Sequence, residues 1–102
     1  MNGAIQSDRV KRRVTVRYEG RVQGVGFRYT TLQIAQNFEI AGYVQNDTDG
    51  AVTLVAEGEE RVLQAFLQAM RSSYLARYVR AEHANWSVGI GEFRDFTIGY
   101  GG

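Results

Sequence analysis

Between an alternating stretch that ends at Glu19 and a helical-period stretch that begins at Phe27, the chain runs through Gly20-Arg21-Val22-Gln23-Gly24-Val25-Gly26, with three glycines in seven residues. A tight turn from strand to helix is the structure this segment imposes. The backbone N–H groups left unpaired at a helix start point outward and carry partial positive charge, so a phosphoryl group settles there. Arg28, at the rim of the turn, adds a planar and permanently charged fork.

The flanking patterns set the architecture. Val14, Val16 and Tyr18 alternate with Arg13, Thr15 and Arg17, which predicts a half-buried strand from Arg12 to Glu19. Phe27, Thr31, Ile34, Ala35 and Phe38 share one face of a helix, with Gln33, Gln36 and Asn37 on the wet side. Gly42 to Gln45 and Ala51 to Ala56 read as two strands, and Asn46-Asp47-Thr48-Asp49-Gly50 supplies the tight hairpin turn between them. A second helix starts at Glu59 and Glu60, where a helix dipole favours negative charge, and ends near Ser72. Its apolar set is Val62, Ala65, Phe66, Ala69 and Met70. Tyr78 to Ala84 and Phe93 to Ile98 read as the last strands, separated by a break at Gly89 and Gly91. Phe27, Phe38, Phe66, Phe93 and Phe96 are assigned to the core.

The order β-α-β-β-α-β, with an added or extended strand near the end, predicts a ferredoxin-like α+β sandwich: an antiparallel sheet with two helices on one face. Residues 1–10 lack periodicity and are expected to form a mobile tail, leaving 11–102 as one domain. That topology hosts electron carriers, RNA binders, regulatory modules and hydrolases, so it leaves the activity open.

Composition removes several chemistries. The chain has no cysteine, which excludes disulfides, thiolate nucleophiles and cysteine-based metal sites, and a single histidine leaves few ligands for any other metal. A formal net charge of +1 is too small for a nucleic-acid surface, and Arg9, Lys11, Arg12 and Arg13 read as a solubilising cluster near the start. No window is long and apolar enough for a transmembrane helix, and Met1 to Ser7 lacks the apolar centre of a signal peptide. A soluble, cytoplasmic monomer without membrane or nucleic-acid partners is expected.

Two familiar phosphate loops do not fit. No Lys-Ser or Lys-Thr pair follows the glycines as in a Walker loop, and Tyr29 stands where a dinucleotide fingerprint has its third glycine. A different pair of motifs does fit. Gly20-Arg21-Val22-Gln23-Gly24-Val25-Gly26-Phe27-Arg28 resembles the first signature of the acylphosphatases. Gly42-Tyr43-Val44-Gln45-Asn46, followed at fixed spacing by Gly50, Val52 and Gly58, resembles the second. The resemblance spans roughly Arg12 to Tyr100 and implies the same ferredoxin-like topology. It departs mildly at Tyr43, where the family commonly has tryptophan.

What the resemblance implies is hydrolysis of carboxyl-phosphate mixed anhydrides, with an acyl phosphate as substrate, inorganic phosphate as product, and neither metal nor cofactor. Carried over by motif position, Gln23, Gly24, Val25, Gly26 and Phe27 form the phosphate-cradling loop. Arg28 is the phosphate-binding arginine, and Asn46 orients the attacking water. The physical chemistry agrees, because a carboxylate whose conjugate acid has a pKa of about 4 leaves with little help from a general acid. Transfer through a loose, charge-spread transition state asks mainly for positioning and for donors around the equatorial oxygens.

His83 falls on a predicted strand without a companion ligand and is read as a packing or surface residue, while Asp47 and Asp49 are read as turn formers. Two other functions use the same topology. An RNA-recognition module would place aromatic residues on the third strand, where Ala51 to Ala56 has none. A phosphate-sensing relic of the acylphosphatase-like domain of larger carbamoyl-transfer maturation proteins would keep the cradle without turnover, although Arg28 and Asn46 are both intact.

Overall fold

Valine, tyrosine and arginine in alternation favour an extended chain with one oily face, and strand β1 forms over Lys11–Gly20. In the computed structural model, which describes residues 10–99, it is followed by α1 (Phe27–Ala35), β2 (Ala41–Asn46), β3 (Val52–Glu59) and α2 (Glu60–Arg71). A 3-10 helix (Tyr74–Tyr78), β4 (Val79–Val88) and β5 (Phe96–Gly99) complete the described chain. The tail expected over residues 1–10 lies outside the described residues except for Val10.

The strands lie in the order β4-β1-β3-β2-β5. β1 is antiparallel to β3 and β4, and β2 is antiparallel to β3. The first four strands thus make the expected antiparallel sheet, while β5 adds to β2 in parallel, so the complete sheet is mixed. The register aligns Val14 with Ala56, Val16 with Leu54, Tyr18 with Val52 and Val44 with Leu54, which brings their side chains to one face. Phe27 and Ala35 of α1 and Leu63, Phe66, Leu67 and Met70 of α2 join the same core, and Thr31 is buried on the same helix. Both helices therefore cover that face. Phe66 is fully buried and meets the rings of Phe38 at 5.7 Å and Phe96 at 6.0 Å. Burial of such a side chain is worth about 2–3 kcal/mol.

Several expectations change. The buried stripe of α2 runs through Leu63 and Leu67, and Ala65 is exposed. Leu63, Phe66, Leu67 and Met70, at i, i+3, i+4 and i+7, remove more apolar surface than a set that includes Ala65 and Ala69, so they set the helix rotation. α1 stops at Ala35, and Phe38 reaches Phe66 from the turn that follows. Tyr74–Tyr78 forms a 3-10 helix that no periodicity signalled.

Phe93, expected in the last strand and facing the core, precedes β5 and lies half-buried on the opposite face of the sheet. There it meets Tyr43 edge-on at 5.8 Å and sits 5.1 Å from the Arg13 guanidinium. The cause is the route from β4 at one edge to β5 at the other, which crosses the face away from the helices. Glu57 anchors this crossing: it is 6% exposed and accepts from the amides of Ile90 at 3.1 Å and Gly91 at 2.9 Å and from Arg13 Nε at 2.8 Å. Of the basic cluster, Arg9 lies outside the described residues, while Arg12 pairs with Glu60 at 2.8 Å and Arg13 with Glu57 and Glu92.

Candidate active site

β1 and β2 are both antiparallel to β3, so they run in the same direction and their C-terminal ends, Gly20 and Asn46, lie at the same end of the sheet. The glycine turn leaves the first end and the hairpin turn leaves the second. A cleft of about 190 Å³ opens between them, lined by Val22, Gly24, Gly26, Phe27, Arg28, Tyr29, Asn46 and Ile98.

The turn has the backbone an anion nest requires. Gly24 and Gly26 take φ of 81° and 80°, the left-handed region that only glycine enters freely. Gly26 is the N-cap of α1 and provides no side-chain cap, and the first bond of the helix runs from Thr30 N to Gly26 O at 3.0 Å. The amides of the first turn, including that of Arg28, thus have no acceptor within the helix. The Arg28 guanidinium lines the same cleft and donates to the carbonyl of Gly99 at 3.5 Å.

Of the residues assigned to the site from sequence, Gly24, Gly26, Phe27, Arg28 and Asn46 all line this cleft. Gln23 and Val25 do not, and their contacts act on its walls. The Gln23 carboxamide donates to the carbonyls of Asp47 at 2.8 Å and Ala51 at 2.9 Å, the two ends of the hairpin turn that follows Asn46. The Val25 carbonyl accepts from the Tyr74 hydroxyl at 3.0 Å, and that hydroxyl also meets Thr30 Oγ1 at 3.0 Å.

The turn is held from the outer face as well. Thr53 Oγ1 donates to Asp47 Oδ2 at 2.6 Å, and Arg17 spans Asp47 at 3.4 Å, Asp49 at 2.6 Å and Glu19 at 3.0 Å. The Arg17 guanidinium holds the carboxyls of Asp49 and Glu19 below the usual carboxylate range, with the Ala51 amide reinforcing the effect on Asp49. Asp47 and Asp49 thus serve the turn, as expected. His83 is exposed on β4 beside Glu19 at 3.6 Å and is absent from the cleft lining.

Among the described residues no carboxylate, imidazole or thiol lines the cleft. Its polar groups are oriented amides, the Arg28 guanidinium, the Asn46 carboxamide and the Tyr29 phenol, a set that can bind a phosphoryl group and position a neutral nucleophile. Among the described residues there is no cluster of three metal-ligating side chains, and no helix is long and apolar enough to cross a membrane. Tyr74 and Thr53 escaped the sequence reading because their roles depend on contacts with Val25 and Asp47 across the fold.

A family model described as Acylphosphatase matches residues 14–98. An acylphosphatase of Lactobacillus gasseri is 41% identical over 88 residues, covering 85% of this chain and 97% of that protein. The crystal structure of acylphosphatase from Bacillus subtilis superposes with a TM-score of 0.80 at 35% identity, covering 87% of this chain and 99% of the other. Full-length HypF, in its phosphate- and nucleotide-bound form, matches 88% of this chain with 12% of its own length, at 26% identity and a TM-score of 0.74.

Proposed function

The chain belongs to the acylphosphatase family, and from that premise we propose how its cleft hydrolyses an acyl phosphate. The protein is a hydrolase of acid anhydrides: an acyl phosphate and water become a carboxylate and inorganic phosphate. In the proposed mechanism the amides of the Gln23 to Arg28 turn and the Arg28 guanidinium hold the phosphoryl oxygens. Asn46 accepts a hydrogen bond from a water and directs its lone pair at phosphorus, opposite the acyl oxygen.

As the water oxygen bonds to phosphorus, the P–O bond to the acyl group breaks and the carboxylate departs with the electron pair. The water's proton passes to solvent. A carboxylate needs little protonation to leave, so this reaction does not require a general acid in the cleft. Donors already in place around the equatorial oxygens stabilise the charge of the transition state without reorganising. No metal is required in this scheme.

The observation that carries the reading is that Arg28, in the first turn of α1, and Asn46, at the end of β2, line one cleft with the left-handed Gly24 and Gly26. Every group in the scheme comes from a single chain, and we place the enzyme in the cytoplasm as a monomer. The test is hydrolysis of benzoyl phosphate with excess chelator present. Rates well above buffer are expected, and Arg28→Ala and Asn46→Ala should each cost about a hundredfold or more. Wild-type rates equal to buffer would refute it.

A further inference from the structure

Arg17 stands on the face of β1 away from the helices, opposite Thr53 of β3, which on its other side is opposite Gln45 of β2. From there its guanidinium reaches past β3 and meets three carboxylates. Nε donates to Glu19 Oε2 at 3.0 Å, Nη1 to Asp47 Oδ2 at 3.4 Å and Nη2 to Asp49 Oδ2 at 2.6 Å. Glu19 directly precedes Gly20, where the glycine turn begins, and Asp47 directly follows Asn46. One side chain therefore links the strand that leads into the glycine turn with the turn that leaves Asn46. The Asp47 carboxylate also accepts from Thr53 Oγ1 at 2.6 Å and from the Gln45 carboxamide at 3.5 Å.

The hairpin turn does not need this link to keep its shape. The Asp47 amide donates to the Ala51 carbonyl at 2.9 Å, the Gly50 amide to the Asp47 carbonyl at 3.2 Å and the Ala51 amide to Asp49 Oδ1 at 3.1 Å. Those bonds are internal to the turn and leave open where it sits relative to β1. Stability gains little from the link either, because the Arg17 side chain is 40% exposed and that of Asp49 56%, and exposed ion pairs contribute little. Reaction is more sensitive to placement than folding is, and a misplacement of about 1 Å can cost about a hundredfold in rate. We propose that Arg17 is a positioning residue of the hydrolysis: through Asp47 and Asp49 it fixes Asn46, and with it the attacking water, relative to the glycine turn. Arg17 itself is absent from the cleft lining.

This role rests on Asn46 as the water-orienting residue of the proposed mechanism, and kinetics on the full chain with benzoyl phosphate separate the two. Arg17→Gln should lower kcat about tenfold while inhibition by inorganic phosphate stays within about twofold. Arg17→Lys keeps the charge without the fork and should still lose about threefold in kcat. Added to Asn46→Ala, Arg17→Gln should cost less than about twofold more, because the group it places is gone. An unchanged kcat in Arg17→Gln, whatever its Tm, would overturn the role, as would a tenfold loss that persists in the Asn46→Ala background. Wild-type turnover in Arg17→Lys, or phosphate inhibition weakened as much as kcat in Arg17→Gln, would make Arg17 a source of positive charge only and overturn it too. Wild-type turnover in Asn46→Ala would sink the reading of Asn46 and this role with it, whereas a hundredfold loss there beside an unchanged Arg17→Gln would sink the role of Arg17 alone.

Discussion

The Tyr74 hydroxyl donates to the Val25 carbonyl at 3.0 Å and thereby grips the peptide between Val25 and Gly26, inside the glycine turn that precedes α1. A trans peptide is planar, with its C=O and N–H pointing opposite ways. Drawing the Val25 oxygen toward Tyr74 therefore turns the Gly26 amide away from Tyr74. In the proposed mechanism that amide is one of the phosphoryl donors.

Tyr74→Phe keeps the ring and removes the grip. One neutral hydrogen bond of about 0.5–1.5 kcal/mol translates to a two- to tenfold fall in kcat/KM, with weaker inhibition by inorganic phosphate in the same proportion. The same loss should lower Tm by about 2–10 °C. Steady-state kinetics beside a thermal melt separate the two effects.

Gln23→Leu removes both hydrogen bonds that tie the cradle to the hairpin turn at Asp47 and Ala51. Stability should fall by about 1–3 kcal/mol in urea unfolding. Turnover should suffer more than phosphate affinity, because the displaced element carries Asn46 while the amides stay with their own loop.

Arg28 and Asn46 should fail in different ways. Arg28→Lys retains charge but loses the planar fork, so phosphate inhibition weakens by about tenfold or more along with kcat/KM. Asn46→Ala should lower kcat by about a hundredfold while phosphate inhibition stays within about threefold, since it touches the nucleophile's place alone. Equal losses of phosphate affinity in both variants would contradict the division of roles.

Gly42 sits in β2 with a φ of 152°, and a Cβ there would fall 1.9 Å from the Val55 carbonyl oxygen. Gly42→Ala must push β2 off β3, and a loss of about 3 kcal/mol or more is expected. At Gly24, also left-handed, an added Cβ meets nothing within 4 Å. Gly24→Ala should cost only the backbone strain of about 1–2 kcal/mol. Paired denaturant melts check the ordering.

Glu57 makes stability depend on pH. Burial opposes its ionisation, but the Ile90 and Gly91 amides and the Arg13 guanidinium outweigh that and lower its pKa. A carboxyl depressed in the folded state contributes fully above its unfolded value of about 4.3 and loses that contribution as pH falls through the folded value. Wild type should therefore lose stability between about pH 4.5 and 2 more steeply than Glu57→Gln. That variant should be weaker at pH 7 by about 1.5–3 kcal/mol, the worth of hydrogen bonds to a charged group.

The parts of this molecule that were legible in the sequence are those where one residue decides one thing. Alternation through Val14, Val16 and Tyr18 shows which face of β1 is buried, and the two glycine-bearing motifs bring Arg28 and Asn46 to one cleft. Where several residues compete, the pattern misled: Ala65 and Leu63 both have helical spacing, and only the larger side chain wins burial. Phe93 is apolar enough for any core, and its place on the outer face follows from the route between β4 and β5, which no local pattern encodes. Tyr74 was hidden for the same reason, since its partner Val25 is 49 residues away.

β3 lies between β1 and β2 in the sheet, yet it follows both in the chain. The two turns of the cleft therefore stand about 10 Å apart, two strand spacings, across a spacer made after them. A nascent chain that has emerged through Gly50 already contains every described residue lining the cleft except Ile98, but not the strand that sets their separation. In the proposed mechanism, the spacing of Arg28 and Asn46 thus depends on a strand that comes later in the chain than either of them.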